Sequence, residues 1–487
     1  LIKAWFCLSW AAKAAWLDEG LRPSDITGPA LGSSTVEAAT AGSAKIFIKA
    51  NKATGRLKAR QDLTLSGRYA AGAAQRAKIV ASNEGFSSGD DQAMISTSRP
   101  QPHEKAKPAL TPESVYIHIP FCTHKCEFCD FAAFAGLSHM EDEYTAVVCA
   151  EMTSRLDLAQ KPRIKTVFFG GGTPGLMSVT NLQKIFQTLL SLVELDSAAE
   201  VSLETTPHAV SPEKAACWCE LGINRVSIGI ESLLDEELTA IGRDHGVDQA
   251  LQGIELVAAS GIKELSIDFM YGLPTQTLKS FEKTLDRAIE LAKKLPAIGH
   301  ISAYCLELSP NSALKSRFPD GHPSYPQEDE QVAMYHLLVS KLAGAGFDQY
   351  EVSNFAKSGR QSKHNMTYWL NKPYFAFGVG AHRYVDGVRS SNSRSFMKYL
   401  RQPLADDVME VIDPKTQAKE ALLLGLRMMA GISLSELAQE YGLDLLQERQ
   451  AEIKMMQDEG LLELSDGKLR LTQAGVPISN SIIATLI

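Results

Sequence analysis

The 487-residue sequence has no run of 18 or more apolar residues, which excludes a membrane-spanning helix. Cysteine is scarce: eight in the whole chain are too few for the disulfide framework of a secreted domain. Positive charge is not in excess either. Against 49 Lys and Arg stand 57 Asp and Glu, a formal net charge of −8, which argues against general attraction to nucleic acid. What remains is ordinary for a folded chain, 45% hydrophobic and 22% charged, and long enough for two or three domains. Three of the few cysteines fall within eight residues, Cys122, Cys126 and Cys129. That clustering points to a metal site in a reducing compartment, with the cytoplasm as the expected location.

Charge is unevenly spread. Residues 1–110 carry 15 Lys and Arg against 9 Asp and Glu, so the basic residues gather there and the acidic excess lies beyond. This stretch is rich in Ala, Ser and Gly and shows little sustained periodicity. A basic, Ser-containing leader fits an organelle transit segment, which would place the protein in an organelle matrix. The preferred expectation is blander: a disordered extension, or translated sequence ahead of the true start. Lys3 and Lys13 break the Leu1–Trp16 stretch, so it makes a poor secretory signal core.

From Ser114 onward strands and helices alternate. Strands are expected at Val115–Ile119, Thr166–Phe169, Glu200–Glu204, Arg225–Ile230, Glu264–Met270 and His300–Tyr304. Helices are expected near Glu141–Leu158, Val179–Leu192, Val247–Ser260 and Leu278–Lys293, with another starting at Ser211-Pro212-Glu213. Six such alternations predict an α/β fold, a parallel sheet curved into a barrel or partial barrel. Chemistry in such folds gathers at the C-terminal ends of the strands.

The sharpest motif is Cys122-x-x-x-Cys126-x-x-Cys129, directly after the first strand. Three thiolates on one loop can hold three irons of a 4Fe–4S cluster and leave the fourth open to a ligand. Zinc would need a fourth donor, for which His118 and His124 are nearby candidates. Cys7, Cys149, Cys217, Cys219 and Cys305 are scattered and fit ordinary packing. Gly170-Gly171-Gly172-Thr173-Pro174 ends the second strand, where missing side chains would let backbone amides approach a ligand. Glu204, Glu231, Arg243 and Asp268 lie at or after later strand ends, where a charge needs a partner or a ligand.

Tyr116-Ile-His-Ile-Pro-Phe-Cys122-Thr-His-Lys-Cys126-Glu-Phe-Cys129-Asp130-Phe131 resembles the radical S-adenosylmethionine superfamily, specifically its HemN/HemW branch. The likeness runs colinearly from about residue 114 to 475. It implies a partial (β/α)6 barrel over residues 111–345, a connecting region over 346–410, and a small helical, winged-helix-like C-terminal domain over 411–487. It also implies a 4Fe–4S cluster on Cys122, Cys126 and Cys129. S-adenosylmethionine would be held by Tyr116, Gly171, Gly172, Thr173, Glu204, Glu231, Arg243 and Asp268. Two positions depart from the branch. Glu231 stands where Gln is usual, and Glu204-Thr205-Thr206-Pro207 replaces E-x-N-P with the loss of an amide.

Within the branch, HemN-type proteins generally carry a fourth cysteine two residues after the third, where this chain has Phe131. His364-Asn365-Met366-Thr367-Tyr368-Trp369 resembles the H-N-x-x-Y-W motif of the HemW type, so His364 is the nominee for a haem-iron ligand, with His382 as the other. The C-terminal stretch lacks a dense basic face and reads as a packing or partner module, not a DNA reader. The resemblance therefore implies a haem chaperone that binds haem, a cluster and S-adenosylmethionine. It would draw on an electron donor and deliver haem to acceptor haemoproteins such as those of the respiratory chain. No transmembrane segment is expected, and peripheral membrane contact stays open; no catalytic residue is assigned. The alternatives are an oxygen-independent coproporphyrinogen III oxidase (dehydrogenase) and a plain zinc-binding interaction protein.

Overall fold

A computed structural model describes residues 47–50, 57–60, 111–156, 159, 161–310 and 312–487. Expectations for the rest of the leader lie outside the described residues. The chain divides into two units. In the smaller, residues 21–106, β1 (Phe47–Ala50) pairs antiparallel with β2 (Leu57–Arg60).

The larger unit, which includes residues 107–487, is built on one sheet. Its heart is six parallel strands in chain order: β3 (Ser114–Ile119), β4 (Arg163–Gly171), β5 (Glu194–Thr205), β6 (Arg225–Glu231), β7 (Glu264–Tyr271) and β8 (Ile298–Cys305). A period of two explains why. Val201 and Leu203, Val226 and Ile228, Leu265 and Ile267 turn into the apolar core. Their alternates Ser202, Glu204, Arg225, Ser227, Ser266 and Asp268 line a polar lumen with His300 and Ser302. A sheet with helices on its outer face and a polar inner face is a curved α/β half-barrel, as the strand–helix alternation predicts.

Helices between the strands start where the sequence supplies caps. The Ser178 side chain accepts from the Asn181 amide ahead of α2 (Val179–Leu192). Ser211 does the same for α3 (Pro212–Glu220), which has Pro at its first position. The first helix, α1 (Glu141–Arg155), is shorter than expected because Leu156 turns extended and buries its side chain. Completing the set are α4 (Val247–Ala259) and α5 (Leu278–Lys294).

The region 346–410 supplies strands to both edges of the barrel sheet. A hairpin of β9 (Asp348–Glu351) and β10 (Asn354–Ala356) adds antiparallel to β8. After α6 (Lys363–Trp369), β11 (Phe375–Phe377) adds parallel to β3. The sheet thus has nine strands and two edges. A separate three-stranded sheet follows, β12 (His382–Val385), β13 (Val388–Asn392) and β14 (Asp406–Val411).

The C-terminal part is α7 (Pro414–Gly425), α8 (Leu434–Tyr441), α9 (Leu445–Asp458) and a hairpin of β15 (Leu462–Ser465) and β16 (Lys468–Leu471). Asp466 and Gly467 both take positive φ at the turn, the geometry of a tight two-residue hairpin. This helix–helix–hairpin order is the small winged-helix-like module expected from the sequence.

Candidate functional site

The cysteine loop leaves β3 at its C-terminal end. A short pairing of Phe121–Cys122 with Phe134–Ala135 closes its base, and the Cys129 amide donates to the Cys126 carbonyl at 3.0 Å. Cys122, Cys126, Cys129, Gly171, Gly172, Thr173, Glu204, Glu231, Arg243 and Asp268 all line one cavity. The loop and four strand ends therefore meet at one point.

Two partners hold the sulfurs. The Arg243 guanidinium donates from Nη1 to Cys126 Sγ at 3.0 Å and from Nη2 to the Gly229 carbonyl at 2.7 Å. The Thr173 hydroxyl lies 3.7 Å from Cys122 Sγ. Burial pushes the Cys122 thiol up to about 11 and raises that of Cys126, where Arg243 opposes the rise. Iron binding here must therefore release protons. Among the described residues, only His208, Asp244 and His245 form a group of three His, Cys, Asp or Glu whose donor atoms all lie within 4.8 Å. The three thiol sulfurs are spread wider. A single zinc with Zn–S bonds of about 2.3 Å would need them nearer than roughly 4 Å. His118 cannot complete a zinc tetrahedron as placed, since Nδ1 bonds the Tyr116 hydroxyl at 3.0 Å and Nε2 the Ala132 carbonyl at 3.0 Å.

The glycines have a packing reason as well as an open face. Gly171 has φ of +121°, and a Cβ there would stand 2.6 Å from the His118 ring. A Cβ on Gly172 would meet the Phe121 carbonyl oxygen at 2.7 Å and Cys122 Sγ at 3.0 Å. The amides of this turn are already engaged. Gly171 donates to Glu204 Oε2 (3.1 Å), Gly172 to the Ile119 carbonyl (2.8 Å) and Thr173 to the Phe121 carbonyl (2.8 Å). The turn fits tightly against the cysteine loop, which only glycine permits.

Glu231 is a non-glycine residue at φ of +68°, buried, with Oε1 3.8 Å from Arg243 Nη1. The guanidinium gives a carboxylate a reason to stand there. Asp268 accepts from Ser227 at 2.7 Å and from Ser266 at 3.0 Å, and Ser266 continues to His300 at 2.7 Å. Glu204, Ser227 and Asp268 line both the cluster-loop cavity and the barrel lumen, which joins the two spaces.

Two nominated residues lie elsewhere. Tyr116 lines a neighbouring cavity with His118, Asp130, Phe131, Tyr368, Tyr374, His382 and Arg394. His364 is fully buried at the opposite end of the barrel. There α6 lies beneath the first residues of the strand series: Ser114 bonds Thr367 at 2.8 Å, Thr166 bonds His364 Nδ1 at 2.8 Å, and Glu200 accepts the His364 amide at 3.0 Å. His364 Nε2 bonds the Tyr368 hydroxyl at 2.9 Å and the ring stacks on Phe168. Desolvation lowers its pKa to about 3. Both ring nitrogens are engaged inside the protein, and a bond to haem iron would have to displace one of those partners. The tyrosine of the same motif, Tyr368, is the one that faces the cavity shared with Tyr116 and His382.

A parallel half-barrel with three cysteines on its first loop and a glycine turn packed against them defines a radical S-adenosylmethionine protein. The Radical SAM superfamily model matches residues 116–288, and the HemN C-terminal domain model matches residues 412–478. The heme chaperone HemW of Bacillus subtilis is 34% identical over 382 residues, covering 77% of this chain and 99% of that protein. The mitochondrial radical S-adenosyl methionine domain-containing protein 1 of Danio rerio is 31% identical over 395 residues, covering 77% of this chain and 86% of that one. Coproporphyrinogen III oxidase (HemN) from Escherichia coli shares the fold, with a TM-score of 0.67 at 19% identity over 77% of this chain and 90% of that one. The chain belongs to the HemW family. Its cofactors are accordingly a 4Fe–4S cluster and S-adenosylmethionine.

Proposed function

We propose that the protein is a haem chaperone: it binds haem on a radical S-adenosylmethionine scaffold and passes it to acceptor haemoproteins. Cys122, Cys126 and Cys129 would hold the cluster, whose open iron would chelate S-adenosylmethionine. Glu204, Glu231 and Asp268 bring three carboxylates to the cavity, which suits a ligand carrying a sulfonium and an ammonium charge. Arg243 steadies Cys126 and the β6 end together.

One observation carries the choice of chaperone over oxidase. Phe131 occupies the position of the fourth cysteine and lines both the cluster-loop cavity and the aromatic cavity of Tyr116, Tyr368 and Tyr374. An aromatic-walled recess beside the cluster loop favours holding a macrocycle, whereas oxidation would need propionates in near-attack geometry at the radical source. The acceptors, of which respiratory-chain haemoproteins are the class intended, and the electron donor belong to this proposal. The cellular site, cytoplasm or organelle matrix, does too. Among the described residues no helix is long and apolar enough to cross a membrane.

The test mixes reduced, cluster-loaded protein with S-adenosylmethionine and either haem or coproporphyrinogen. A stable Soret band without decarboxylated product is expected. Protoporphyrinogen formed over many turnovers would promote the oxidase reading instead.

A further inference from the structure

Beside the cysteine loop stand three side chains that belong to no motif in the sequence. His208 lies in the turn after β5, and Asp244 and His245 follow the short helix Asp235–Ala240 after β6. Their donor atoms all fall within 4.8 Å of one another.

Counting protons shows what they lack. The Thr123 hydroxyl donates to Asp244 Oδ2 at 2.7 Å, which uses its only proton. At 3.0 Å from His208 Nε2 it then accepts, so that nitrogen carries a hydrogen, shared with the Thr206 hydroxyl at 3.3 Å. His245 Nε2 faces the Ile230 carbonyl at 3.3 Å, and a carbonyl only accepts. In the neutral rings both Nδ1 atoms then bear lone pairs. In that state neither makes a hydrogen bond, and both atoms are buried. Both face Asp244 Oδ1, at 3.2 Å from His208 and 3.9 Å from His245, and the His245 side chain has no exposed surface.

Three lone-pair donors turned toward one another favour a cation between them. A second proton on His208 would pair with Asp244 at 3.2 Å, but His245 Nδ1, at 3.9 Å, is beyond hydrogen-bond reach and stays buried and unpartnered. Metal bonds of about 2.0–2.2 Å to nitrogen and oxygen separate tetrahedral ligands by roughly 3.3 Å; here the two rings stand 3.2 and 3.9 Å from Asp244 Oδ1, so a small inward shift of His245 would complete the set. We propose that His208, Asp244 and His245 bind a divalent transition-metal ion of the zinc class, at a site distinct from Cys122, Cys126 and Cys129. Asp244 is partly exposed, which gives the ion a way in and leaves a coordination position for water. Thr123, between Cys122 and Cys126, orients the Asp244 carboxylate from behind, so the ion would fasten the cluster loop to the ends of β5 and β6. This site stands independently of haem binding.

The experiment adds one equivalent of zinc to cluster-loaded protein and records X-ray absorption at the zinc edge. The expected shell is nitrogen and oxygen at about 2.0–2.2 Å with no sulfur at about 2.3 Å. His208→Gln and Asp244→Asn should each weaken zinc affinity by about tenfold or more in calorimetry, with iron content and circular dichroism retained as controls for folding. A sulfur shell would show zinc at the cysteines and overturn the site. So would unchanged affinity in both variants.

Discussion

Arg243 Nη1 stands 3.0 Å from Cys126 Sγ, while its Nη2 donates to the Gly229 carbonyl at 2.7 Å. One planar group thus joins the cluster loop to the end of β6 and faces Glu231. A lysine keeps the charge but not the fork, and cannot make these contacts together. Arg243→Lys should still load iron, yet lose it to a chelator several-fold faster than the parent. Equal rates of iron loss, followed by absorbance near 400 nm, would show that the guanidinium geometry is irrelevant to the loop.

The cysteines themselves should behave as a set. Cys122→Ala, Cys126→Ala or Cys129→Ala should each abolish the four-iron cluster after anaerobic reconstitution, since no protein donor replaces the lost thiolate. Iron analysis and the paramagnetic signal of the reduced cluster read the result. Zinc at one equivalent on these cysteines, with no iron taken up, would overturn the assignment.

Gly171 tests how far the sequence anticipated the turn. An open approach for a ligand predicts that a side chain there costs S-adenosylmethionine binding and leaves the cluster. The tight contact with His118, whose Nε2 holds the Ala132 carbonyl at the base of the cysteine loop, predicts a broader effect. Gly171→Ala should destabilise the protein by about 1–3 kcal/mol through its left-handed φ and displaced ring, and should lower iron retention as well. An unchanged melting temperature would mean that His118 moves aside freely.

Much of this was legible in the chain. Val201 and Leu203 alternating with Ser202 and Glu204 announce a strand with one apolar and one polar face, and the spacing of Cys122, Cys126 and Cys129 announces a metal site, which the family resemblance then reads as a cluster. The edge strands β9, β10 and β11 were not legible, because three or four residues are too few to show a period. Nor could spacing show that His364 lies under the barrel. The residues that hold it, Thr166 and Glu200, are 198 and 164 positions away. His208 and Asp244 escaped notice for the same reason: their meeting depends on two strand ends being neighbours.

Acid should destabilise the fold through buried histidines. Desolvation lowers His118 to about 4 and His364 to about 3, and holds His300 well below its ordinary range. Unfolding lets each ring return to about 6.5, so between these values the unfolded chain binds more protons. Stability is therefore unaffected at pH 8 and falls as pH drops below about 6.5, by up to about 1.4 kcal/mol per unit for each ring. Melting temperature measured from pH 8 to 5 should decline below 6.5, less steeply in His364→Gln. A flat profile would show that these rings are not held neutral.

Two histidines offer different routes to the haem iron. His364 sits in a dry pocket with Thr166 on one nitrogen and Tyr368 on the other. Iron ligation there requires α6 to leave the underside of the barrel, breaking the Glu200 contacts that anchor its first turn. His382 lines the aromatic cavity beside Phe131 and Tyr368, where a widened cavity would admit haem without breaking the Glu200 contacts of α6. If haem enters that cavity, His382→Ala should change the Soret maximum and weaken binding by tenfold or more, an effect of at least about 1.4 kcal/mol. His364→Ala should then mainly lower the melting temperature, because a buried, doubly bonded ring is lost. The reverse pattern, with the spectrum altered by His364→Ala and untouched by His382→Ala, would mean that haem binding opens the base of the barrel. Hydrogen exchange of the α6 amides with and without haem separates the two: protection retained on haem addition places the ligand at the aromatic cavity, and protection lost places it at His364.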